Sequence, residues 1–164
     1  MAKIDKAVFD TGPLLHLPAI NYAKVLSVVK KRFIPPEVVS ELRHYGKTAH
    51  ATEIVLSDRG KDLAKIMIER YSLDIGEAQA VALAVQEKVQ LLFTDDLDAR
   101  TVAKSFGLEV HGTLGLVTRA LRERIITKGE AKSCVISLHK KSSLFLTRDL
   151  VLWALKEIDQ WKQP

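Results

Sequence analysis

The sequence predicts an α/β fold with a parallel sheet, and two observations carry that reading. Short apolar runs alternate with stretches of helical periodicity, the order that gives parallel strands joined by helical crossovers. Two of those runs close on acidic residues, at Asp10 and at Asp95-Asp96. Both acidic points fall at the carboxyl ends of expected strands, where ligands of such sheets bind.

Ala7–Asp10 ends the first apolar run and reads as a strand that turns at Thr11-Gly12-Pro13. Asn21–Lys30 has helical periodicity, and Phe33-Ile34 is a short strand-like piece. Pro35-Pro36 then opens a helix through Glu37–Tyr45, because proline fits a first turn. Lys47–Leu56 and Lys61–Tyr71 read as two further helices joined around Ser57–Gly60. Gly76–Lys88 is an alanine-rich helix that leads into a strand at Val89–Thr94. Ala99–Phe106 is helical, Gly107 is its expected stop, and Leu108–Val110 is a short strand. Leu114–Arg124, Lys128–His139 and Arg148–Trp161 complete the helices.

With no internal repeat or Pro/Gly-rich linker, residues 1–164 read as one domain. Residues 127–164 form a C-terminal helical extension expected to pack on it. Hydrophobic residues make up 47% and charged residues 27%, ordinary globular values. The sequence has no secretory h-region and no apolar run near the roughly 18–20 residues of a membrane span, so no membrane association is expected. The single cysteine, Cys134, rules out an internal disulfide framework and fits a reducing cytoplasm. His16, His44, His50, His111 and His139 lack ligand spacing, which argues against zinc. Net charge is +5. If four acids gather in one site, 25 basic residues face 16 acidic ones elsewhere. A basic body around an acidic pocket suits a polyanion held through metal ions, although each basic cluster alone is ordinary solvated surface.

Four acids invite scrutiny, and each has a structural explanation as well. Asp10, before Thr-Gly-Pro, is a natural cap for the following amides. Glu41 borders the apolar helical face formed by Val38, Val39, Leu42 and Tyr45, where it can reach a cleft or simply meet solvent. Glu77 falls between Val81 and Ala84 on its helical wheel, a costly place for a carboxylate unless it is paired. A capping box with Asp74 accounts for its residue type but not for its apolar flanks. Asp95 and Asp96 repel one another unless solvated or paired, whereas Asp98 reads as the cap of the next helix. Together these acids offer hard oxygen donors from four segments, without a histidine or cysteine. That is the donor set of Mg²⁺ or Mn²⁺. Such a cation keeps clustered carboxylates ionised and makes phosphodiester hydrolysis feasible near neutral pH.

VFDTGPLL, VVSEL, DIGEAQAVALA and LLFTDDLDARTVAKSFGLEVHGTLGLV occur in an order and spacing that resembles PIN-domain proteins. The resemblance runs from about Ala7 to Val117, and the G-E-A, T-D-D and G-T-L-G spellings look like those of a group of small prokaryotic PIN-like proteins whose relatives include VapC-type toxin ribonucleases. It implies a Rossmann-like three-layer α/β/α sandwich around the parallel sheet. It carries the family acids onto Asp10, Glu41, Glu77 (aspartate in many relatives) and Asp96, with Asp95 as an extra metal-side carboxylate. Thr11 and Thr94 match hydroxyls that support the acidic cluster. The implied activity is Mg²⁺- or Mn²⁺-dependent cleavage of single-stranded RNA. A homodimer is expected and, for toxin members, a small antitoxin protein as partner.

The leading expectation is thus a metal-dependent endoribonuclease. The alternative is a catalytically inactive PIN-like module that binds RNA or protein, motivated by Glu77 and the basic body. A phospho-acceptor domain is a weaker third reading, because the acid pair comes late and helical glutamates complete the set.

Overall fold

A computed structural model of the protein describes residues 4–162; both ends of the expected 1–164 domain lie outside that range. Strand β1 (Ile4–Phe9) leads into helix α1 (Thr11–Ala19). A 3-10 helix over Ala23–Val28 precedes β2 (Val29–Ile34) and α2 (Pro36–His44). After β3 (Thr52–Glu53) come α3 (Asp58–Tyr71) and α4 (Ile75–Gln86). Strand β4 (Leu91–Phe93), α5 (Leu97–Ser105) and β5 (Glu109–His111) follow. Helices α6 (Thr113–Arg122), α7 (Lys128–Lys141) and α8 (Arg148–Gln160) complete the described chain.

All strand pairings are parallel, in the order β3-β2-β1-β4-β5. The α/β class with a parallel sheet is therefore as expected. The strand period of two sorts side chains to opposite faces. Ala7 and Phe9 enter one apolar cluster with residues of α1, α2, α6, α7 and α8, while Val8 enters another with residues of α3, α4 and α5. Phe93 and Leu92 divide in the same way on β4. Helices on both faces give the three-layer α/β/α sandwich. In α7 and α8, Leu138, Ala154 and Ile158 are buried in the first cluster, so truncating Leu138 to alanine is expected to cost about 2–5 kcal/mol. Among the described residues no helix is long and apolar enough to cross a membrane.

Several local expectations need correction. Thr11-Gly12-Pro13 is the first turn of α1 rather than a loop, because Asp10 caps it and proline is at home there. Asn21–Lys30 divides into the 3-10 helix and the start of β2. The β-branched and paired Val29–Ile34 backbone prefers the ladder with β1. Lys47–Leu56 is not helical; the segment pairs with β2 at Thr52 and Glu53 as an edge strand. On α8, helical spacing in the sequence puts Leu150, Trp153 or Ala154, and Ile158 to Trp161 on one face, whereas the buried stripe is Val151, Ala154 and Ile158 and leaves Leu150 and Trp153 exposed. Other signals hold. Pro36 is the first residue of α2, and Gly107 ends the α5 region with φ 76°, a left-handed conformation that favours glycine.

Candidate active site

β1 and β4 are neighbours at the point where strand order reverses direction from the centre, and their carboxyl ends carry Asp10 and Asp95-Asp96. Asp10 continues the sheet by donating its N–H to Phe93 O at 2.9 Å. Its side chain is 8% exposed. Oδ1 accepts the Thr11 N–H at 2.8 Å, capping α1, and Oδ2 accepts the Thr94 hydroxyl at 2.8 Å. Burial lifts the carboxyl to about 6 against those two stabilising bonds, and repulsion from Glu41 and Asp95 adds to the rise.

Glu41 projects from α2 to the same end of the sheet, where Oε2 accepts the Thr11 hydroxyl. Its carboxyl lies against α4: a Cβ added at Gly76 would sit 3.0 Å from Glu41 Cδ. The glycine before Glu77 therefore makes room for Glu41. Glu77 is half-buried on α4, and its Oε2 accepts the Asp74 N–H at 3.0 Å. The expected capping bond is thus formed. The same carboxyl also faces the acidic cluster. Burial raises it to about 7, the Asp74 amide opposes that, and repulsion from Asp96, Asp10 and Asp74 pushes the same way as burial.

The three aspartates after β4 divide their roles differently from the sequence expectation. Asp96, not Asp98, caps α5, with Oδ1 accepting the Ala99 N–H at 2.7 Å. Asp98 is an exposed residue of the first turn. Asp95 Oδ1 accepts the Thr113 N–H at 2.7 Å, and Oδ2 accepts the Thr113 hydroxyl at 2.6 Å. Gly112 makes this approach possible, because a Cβ there would meet Asp95 Oδ1 at 2.7 Å. Asp95 thereby ties the N-terminus of α6 to the end of β4. Thr113, fully buried, went unassigned in the sequence although it stands in the G-T-L-G spelling that carried the resemblance. His16 is buried on α1, where burial lowers its pKa and Asp95 pulls it the other way.

The fold thus assembles Asp10, Glu41, Glu77, Asp95 and Asp96 around the carboxyl ends of β1 and β4, with Thr11 and Thr94 bridging them. Their chemistry fits a hard divalent cation: all donors are carboxylate oxygens, and burial, with repulsion between the acids adding to it, raises Asp10 and Glu77. Among the described residues no three such side chains are arranged to hold a metal ion in the present rotamers. Asp10, Glu41, Glu77 and Asp96 each spend an oxygen on a protein donor.

A family model described as DUF3368, PIN domain, matches residues 6–160. The chain is a PIN-domain protein. The family match runs through α7 and α8, well past the Val117 limit of the sequence resemblance. PIN domains are in general nucleases, which makes a nucleic-acid hydrolase the coarse function of this PIN domain. No curated protein matches the chain.

Proposed function

We propose that this PIN domain is a Mg²⁺- or Mn²⁺-dependent endoribonuclease that cleaves single-stranded RNA, with Asp10, Glu41, Glu77 and Asp96 as its ligand set. The single observation behind this reading is the meeting of carboxylates from β1, α2, α4 and the β4–α5 junction beside a nearly buried Asp10. In this reading water is the attacking group, and the Thr11 and Thr94 hydroxyls are engaged in holding the carboxylates. A bound divalent ion supplies charge to the scissile phosphate and acidity to that water. Asp10, anchored by Thr11 and Thr94, fixes the centre of the site; Glu41 and Glu77 bring negative charge from two helices. Asp95, held by Thr113, acts by positioning α6 and adds charge without direct ligation. A homodimer and a small antitoxin protein are the partners that go with a toxin role.

The test is cleavage of end-labelled single-stranded RNA with Mn²⁺, with and without Asp10→Asn. Asparagine retains the oxygen that caps α1, so the variant should fold. Cleavage should fall by about 10²-fold or more, the scale for losing a central electrostatic group. Equal cleavage by the variant would sink the reading.

A second reading draws on the cap made by Glu77 and on the dispersed rotamers of the acids. In it the domain binds RNA or a protein partner without cutting. It predicts salt-dependent RNA binding, with no scission on adding Mn²⁺.

A further inference from the structure

Beside the acidic cluster, on the Asp95 side, lies a cleft of about 210 Å³ whose wall includes Asp95, Arg100, His111, Phe145, Leu150 and Trp153. It is smaller than the roughly 300–1,000 Å³ of sites for drug-sized ligands, which suits a single planar ring system. Two of its aromatic side chains are unusually open: Phe145 is 86% exposed and Trp153 is 54% exposed. Both sit on the segment that carries α8, whose buried stripe is Val151, Ala154 and Ile158. The fold therefore packs α8 by its small and aliphatic residues and leaves the indole to line the cleft. Apolar rings facing water cost free energy unless a ligand covers them.

The polar groups of the cleft indicate which ligand. Arg100 belongs to α5, one turn after the Asp96 cap, and its guanidinium reaches toward Gly112 at the start of α6. Among the described residues Arg100 makes no ion pair, whereas Glu109 takes up His111. An unpaired guanidinium beside two open aromatic rings matches a nucleotide: the cation meets phosphate and the ring faces meet the base. Asp95 belongs both to this wall and to the acidic cluster, so a base seated here belongs to a nucleotide next to the scissile phosphate.

We infer that the Asp95–Arg100–Trp153 cleft is a nucleobase subsite, which holds one unstacked base of a single-stranded RNA against Trp153 and Phe145 while Arg100 binds its phosphate. This rests on the ribonuclease reading for the identity of the strand, but binding can be read without cleavage. Base stacking on aromatic faces tolerates sequence, so the subsite selects unpaired strands rather than a particular base.

The test uses the whole protein in EDTA, where no cleavage occurs, and measures the binding of a short oligouridylate and of the same ribose-phosphate chain with one internal abasic residue. Trp153→Ala and Phe145→Ala should each weaken oligouridylate binding by roughly 5- to 100-fold, the range for one lost base–aromatic stack. The abasic chain should lose part of its affinity and be insensitive to both substitutions. Trp153→Phe should keep most of the binding, and Arg100→Ala should flatten the salt dependence by about one phosphate contact. Unchanged affinity in Trp153→Ala and Phe145→Ala would overturn the subsite even if the wild type cleaves RNA. A change of oligomeric state in place of affinity would overturn it too, and so would a wild type that binds neither chain. Base-dependent binding lost in Trp153→Ala would uphold it even if no condition produces cleavage, which would leave only the catalytic reading refuted.

Discussion

Thr94 Oγ1 donates a 2.8 Å hydrogen bond to Asp10 Oδ2 and joins the ends of adjacent parallel strands across 84 residues of sequence. The same hydroxyl accepts the Asp96 N–H at 3.3 Å, so one side chain sets the spacing of two of the proposed ligands. Thr94→Val keeps the shape and removes both bonds. Leaving a buried carboxylate short of a donor should cost about 1–3 kcal/mol in urea denaturation. A variant as stable as the wild type would mean that Asp10 finds another donor.

The raised carboxyls give the protein a pH signature. Asp10 is held up to about 6 and Glu77 to about 7, in both cases chiefly by burial. A raised carboxyl keeps a proton in the folded state that the unfolded chain has already lost. Its contribution is complete below the ordinary carboxylate range and disappears as pH rises through the folded value. Metal-free wild type should therefore lose stability relative to Asp10→Asn as pH rises from about 4 to about 7, on the order of 3 kcal/mol for Asp10. A stability difference that stays constant over that window would contradict the buried, crowded carboxyl.

Gly76 separates packing from function. Within a helix, glycine to alanine ordinarily stabilises by about 0.5–1 kcal/mol. Here the new Cβ would crowd the end of the Glu41 side chain, which can swing aside at little cost. Gly76→Ala should melt at the wild-type temperature or above it, yet lose RNA cleavage by roughly tenfold or more as Glu41 leaves Thr11. Retained cleavage would show that the position of Glu41 does not matter.

Cys134 is fully buried and its thiol is pushed up to about 12 by that burial. Iodoacetamide at neutral pH should leave the folded protein unlabelled and modify it fully in urea. Rapid labelling of the native chain, followed by mass spectrometry, would contradict the packing of α7.

The parallel sheet was legible because strand and helix periods alternate, and the site because acids end two of its strands. What the sequence concealed depends on contacts between distant segments. Asp96 and Asp98 are equally good caps, and only the three-dimensional start of α5 assigns the role to Asp96. Lys47–Leu56 has helical spacing, but the open edge of β2 draws Thr52-Glu53 into a strand instead. The role of Thr113 appears only once α6 docks beside β4, and the face that α8 buries depends on the surface of α6 and α7. Nothing in the sequence around Gly76 signals its role, because the neighbour it accommodates, Glu41, comes from another helix.

The most direct test of the account is calorimetric Mn²⁺ binding to the wild type and to Asp96→Asn, at a pH above the raised values of Asp10 and Glu77. Asparagine preserves the cap of α5, so the variant should differ in charge rather than in fold. The account predicts binding by the wild type and its loss in the variant. A folded wild type that binds no Mn²⁺, or a variant that binds it equally well, would contradict the metal-dependent site.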